Sequence, residues 1–94
     1  MNEPLSQIAL WEFPESDFAE WRTLTGEAQI AEYRDYVSLL NSVREEHEQR
    51  GLKVVFVAMS VSEMVTELKS QGYDNTPACR ATIIAIRANN QSTI

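Results

Sequence analysis

The chain has 94 residues, a formal net charge of −6, 44% hydrophobic residues and a single cysteine. That length suits one small domain, that apolar fraction can build a core, and a lone thiol excludes an internal disulfide. Residues 1–51 carry eleven acids against four arginines, while residues 52–94 carry three acids against four bases. An acidic half repels phosphate, so neither nucleic acid nor an anionic membrane is an expected partner.

Residues 1–5 read as a loose start. Ile8–Phe13 (IALWEF) reads as a strand, with Ala9, Trp11 and Phe13 on one face and Ile8, Leu10 and Glu12 on the other. One face wholly apolar and one partly so is the pattern of an edge strand, and Pro14 stops it. Asp17 and Glu20 have capping-box-like spacing ahead of Phe18, Trp21 and Leu24, which predicts a short helix over about residues 16–24. Thr25 and Gly26 punctuate it.

Glu27–Arg50 is the longest helical segment in the sequence. It contains no Pro or Gly, carries the stripe Ile30, Tyr33, Val37 and Leu40, and ends at Gly51. At 1.5 Å per residue it would be roughly 36 Å long, more than the diameter of a small domain. The end at 44–50 is therefore expected to project or to be covered by another chain. Tyr33, Tyr36, Leu40, Val43 and His47 follow coiled-coil spacing, but two heptads are too few for a coiled coil.

Leu52–Ser60 (LKVVFVAMS) is the only continuous apolar run. Leu52, Val54, Phe56 and Ala58 fall on one side and Val55, Val57 and Met59 on the other, as in a Val-rich strand covered on both faces. Ser60 and Glu63 form a capping box that opens a helix with Val61, Met64, Val65 and Leu68 on one stripe, and Gly72 closes it. Residues 73–76 read as a turn, and Thr76-Pro77 as an N-cap with proline at the first helical position. Ala78–Ala88 suits either a helix, with Cys79, Ile83 and Ile86 in line, or a β-branched third strand. The start signal and the alanines favour helix. Asn89–Ile94 reads as a frayed tail.

These elements predict a single α+β domain of order β-α-α-β-α-α, with a small two-stranded sheet covered by helices, or three-stranded if 78–88 is a strand. The separation of Ile8–Phe13 from Leu52–Met59 suits parallel pairing. Two strands are weak alone, so helices must cover them or a second subunit must extend them.

The chemistry-bearing residues do not assemble into a motif. From His47, the helical positions three and four residues away are Val43, Arg44, Arg50 and Gly51, none a usual metal ligand. Cys79 lies on an apolar stripe, and free cysteine packs as a small hydrophobe. Glu12, Glu15, Asp17 and Glu20 are abundant without a spacing that separates an acid from a base. The three glycines make no phosphate loop. No metal or other cofactor is expected, and nothing argues for an enzyme.

Of the aromatics in the N-terminal half, an exposed member of the set Trp11, Trp21, Tyr33 and Tyr36 would mark a partner-binding patch. The expected function is therefore a small acidic interaction or assembly module, oligomeric or a subunit of a larger complex, whose partner is a protein or a second copy. The alternative is a helix-turn-helix regulator over residues 60–88, with Thr76, Arg80, Thr82 and Arg87 facing DNA. That segment has no net charge, whereas DNA readers show a basic face. No secretory leader and no apolar stretch of about 20 residues is visible, so the cytoplasm is the default location.

Overall fold

The computed structural model describes residues 7–92, with side chains through Asn90. The readings of residues 1–5 as a loose start and of 93–94 as the end of a tail lie outside the described residues.

The elements run β1 (Gln7–Glu12), a single 3-10 turn (Glu15–Asp17), α1 (Phe18–Thr25), α2 (Tyr33–Gln49), β2 (Lys53–Ala58), α3 (Val61–Gln71) and α4 (Pro77–Ser92). This is the β-α-α-β-α-α order of a small α+β fold. β1 and β2 pair in parallel with Gln7 opposite Lys53 and Glu12 opposite Ala58. Ala78–Ala88 lies inside α4, so the described sheet has two strands. The helix start wins there because the Thr76 hydroxyl accepts from the Cys79 N–H at 3.1 Å and the apolar stripe buries Ile83 and Ile84. The same helix continues through 89–92 instead of fraying at Asn89. Its buried Ala88 anchors that last turn.

α2 begins at Tyr33, six residues later than the sequence predicts. Glu32 is its N-cap in extended geometry, and Glu32 and Asp35 form a reciprocal capping box. That box ends the helix toward the N-terminus, since the N-cap residue lies outside helical backbone space. Residues 27–31 form an irregular link in which the Arg22 guanidinium reaches the Glu27 carbonyl at 3.4 Å. The shorter helix of 17 residues spans about 25 Å, within reach of a small domain.

Two buried clusters hold these elements together. In the first, Val57 and Met59 from the β2 end meet Met64 and Leu68 of α3 and Ile83, Ile84 and Ala88 of α4, with Ala9, Trp11 and Val55 packed alongside. The second joins Phe13, Trp21, Tyr36 and Val61. Alternation along the strands explains the division. Odd-numbered residues face α3 and α4, whereas Phe56, on the opposite face, lies under the Arg44 guanidinium of α2 at 5.9 Å.

Candidate functional site

The carboxyl end of a parallel sheet is where α/β folds commonly place a ligand. Here that end is an open cleft of about 510 Å³ between Glu12, Tyr33, Ser60 and Glu63. The start of α3 would be its anion-binding element, because unpaired N–H groups and the helix dipole favour negative charge. The chain fills that position itself. Ser60 N–H donates to Glu63 Oε1 at 2.9 Å, Glu63 N–H to Ser60 Oγ at 3.0 Å, and Val61 N–H to Asp17 Oδ2 at 2.9 Å. The Ser60 N–H bond, with Arg87 nearby, holds the Glu63 carboxyl below the usual glutamate range. Burial, together with Glu12 and Glu15, pushes the Tyr33 hydroxyl up. The cleft is thus acidic, and two of its helix-start donors are held by carboxylates and a third by the Ser60 hydroxyl, a poor receptor for phosphate.

The edges of the sheet are unlike each other. Met59 N–H donates to the Glu12 carbonyl at 2.9 Å. In a parallel ladder each residue turns both backbone groups the same way and its neighbours turn theirs oppositely. Even-numbered residues of β1 therefore face β2, and Trp11 and Phe13 turn their carbonyls outward. Both of those carbonyls are occupied: Tyr33 Oη donates to Phe13 O at 2.6 Å, and Tyr36 Oη donates to Trp11 O. On β2 the odd-numbered residues face β1, which leaves the N–H and C=O groups of Val54, Phe56 and Ala58 on the outer edge. Among the described residues no hydrogen bond reaches that edge. Val54 and Phe56 are half-buried and Ala58 is exposed.

The aromatic residues singled out in the sequence are brought together, but facing inward. Trp21 is 6% exposed and Tyr36 7%, stacked or tilted against Phe13 at 5.3 and 4.6 Å between ring centroids. Trp11 is half-buried and its indole N–H donates to the Met59 carbonyl at 2.8 Å. Tyr33 is half-buried as well. Trp21 and Tyr36 thus present little surface to a partner.

The four candidate DNA contacts each have a partner within the chain. Thr76 caps α4, Arg80 donates to the Asn75 side chain, Thr82 Oγ1 donates to the Ala78 carbonyl at 3.0 Å, and Arg87 lies 3.8 Å from Glu63. Partial burial lowers the Arg80 pKa. Thr82 lies two residues from Arg80, so it points about 160° away around the helix. His47 Nδ1 lies 2.8 Å from the Val43 carbonyl of its own helix, and Cys79 is half-buried against the first cluster. Among the described residues no three His, Cys, Asp or Glu side chains converge as metal ligands, and no helix is long and apolar enough to cross a membrane.

Sequence reasoning missed the β2 edge. Its residues were legible as a strand, but the direction of their backbone groups follows only from the pairing register. No protein-family model matches the chain, and comparison with curated proteins and with solved structures found no match either.

Proposed function

We propose that this chain is a non-enzymatic assembly module that acts by associating with itself or within a larger complex. The observation that carries the reading is the outer edge of β2. Its segment Val54–Ala58 holds no charge and no proline, and its outward backbone groups have no partner among the described residues. Exposed edges of this kind are templates for a further strand, and chains that remain monomeric usually blunt them with charge, proline or a covering element. The self-filled start of α3 and the inward turn of the aromatics leave the edge, with its row of unpartnered backbone groups, as the recognition feature that favours this reading. The lone thiol Cys79 suits a reducing compartment such as the cytoplasm.

Light scattering coupled to size exclusion, at loadings a hundredfold apart, tests this reading. The expected result is a mass above that of one chain at the higher loading. A single-chain mass at both loadings, with no larger species in cell extract, would remove the proposal.

A further inference from the structure

We infer that two copies of this chain join β2 to β2 antiparallel about a two-fold axis, making one continuous four-stranded sheet. The inference rests on the assembly reading and adds to it the surface, the partner and the register.

Three features select this arrangement. The first is the asymmetry of the edges: Tyr33 and Tyr36 occupy the outward carbonyls of Phe13 and Trp11 on β1, whereas β2 offers Val54, Phe56 and Ala58 without competitors among the described residues. The tyrosines block the carbonyl side of β1 only at its carboxyl half, whereas every outward group of β2 is available, so β2 is the better edge for a two-fold contact, in which each copy uses the same strand.

The second is register. An antiparallel pair that uses all the outward groups of Val54, Phe56 and Ala58 sets Phe56 opposite the partner's Phe56 and Val54 opposite the partner's Ala58. Opposed residues exchange both hydrogen bonds at about 5.5 Å between Cα atoms. Every side chain from Val54 to Ala58 is apolar, so the strands themselves set no charge against charge; the nearest cation on that face is the Arg44 guanidinium, which lies over the Phe56 ring at 5.9 Å.

The third is charge. Lys53 is the only charged residue of β2. In this register it lies opposite the partner's Met59, beside the corner where the partner's Ser60 and Glu63 begin α3. Glu12, paired with Ala58 on the neighbouring strand, lies on the opposite face of the sheet, so Glu63 is the carboxylate that faces the lysine. The two-fold contact thus brings each lysine toward the partner's Glu63, which offsets part of the repulsion between two chains of charge −6.

Amide hydrogen exchange above and below the dimer midpoint tests the edge directly. The amides of Val54, Phe56 and Ala58 should slow at least tenfold on association, while those of Val55 and Val57, bonded to β1 in the single chain, should be slow at both concentrations. Val54→Pro removes one outward N–H and leaves the β1 ladder intact, so dimerisation should weaken at least tenfold with an unchanged circular dichroism spectrum. If that variant fails to fold, Ala58→Lys reads the same edge by placing a charge at the contact. Leu39→Lys, on the exposed side of α2, should leave the dimer intact. A dimer that survives Ala58→Lys with no protection at 54, 56 and 58 would overturn the inference while leaving the assembly reading standing. A wild-type chain that never dimerises overturns both.

Discussion

The Tyr36 hydroxyl donates to the main-chain carbonyl of Trp11, 25 residues away in sequence. One side chain thereby belongs to the aromatic core through its ring and to the sheet edge through its oxygen. Burial, with lesser contributions from Tyr33 and Glu12, pushes its pKa well above the ordinary 10.0. The folded state thus favours the protonated phenol. Its contribution is complete below pH 10 and is lost as pH rises from there toward the folded-state value. Urea midpoints measured between pH 8 and 11 should fall steeply above pH 10, and Tyr36→Phe should flatten that fall. At neutral pH the same substitution should cost about 1–3 kcal/mol, because the Trp11 carbonyl loses its partner.

Removing both edge hydroxyls tests a different property. Tyr33→Phe combined with Tyr36→Phe frees the outward carbonyls of Phe13 and Trp11 while keeping the rings. Scattering should then report species larger than a dimer, since the carboxyl half of β1 would offer its carbonyls as well as its N–H groups. A double variant that stays at the wild-type mass would show that the two tyrosine hydroxyls are not what keeps β1 from pairing.

Phe13 is 2% exposed and lies within 5.7 Å, centroid to centroid, of Trp11, Trp21, Tyr33 and Tyr36. Phe13→Ala should destabilise by about 3–5 kcal/mol through lost transfer energy and the cavity left behind. Phe13→Leu retains most of the volume and should cost far less. It should still weaken the near-ultraviolet circular dichroism, which reports the packing of Trp21.

The start of α3 should respond to acid. Glu63 is held below the usual glutamate value of 4.5, chiefly by the Ser60 N–H. A depressed carboxyl stabilises the fold above its unfolded value, and that contribution disappears as pH falls through the folded one. Ser60→Ala should cost about 1 kcal/mol near neutrality. Glu63→Gln should reduce the loss of stability between pH 6 and pH 3, read by thermal melts across that range.

Gly72 closes α3 at φ +70°, and a Cβ there would meet nothing within 4 Å. The penalty for Gly72→Ala is therefore conformational, about 1–2 kcal/mol. Gly72→Asn should cost less, because asparagine tolerates the left-handed region. Denaturant melts of the two variants should rank them in that order.

Where local chemistry and the tertiary fold agree, the chain was legible as a string of residues. The β2 run, the Ser60–Glu63 box and the Gly72 stop each have one dominant cause within a few residues. The start of α2 was hidden because Glu32 is an unusual N-cap, and its partner Asp35 lacks the serine or threonine pattern that marks a box in sequence. Trp11, Trp21, Tyr33 and Tyr36 were legible as one group, but not their direction. That depends on Phe13, which draws Trp21 and Tyr36 inward from two different helices. The open edge of β2 was invisible for a further reason: which backbone groups point outward is a property of strand pairing, and side-chain identity does not encode it.

The pairing of Gln7 with Lys53 spans 46 residues. During synthesis at about 5–20 residues per second, β1 therefore waits on the order of 2–9 s for its partner strand to be made. Tyr33 and Tyr36 are added well before β2. The two side chains that take the outward carbonyls of Trp11 and Phe13 are thus in the chain before the strand that takes the inner edge of β1, although the cluster that buries Tyr36 is complete only once Val61 follows.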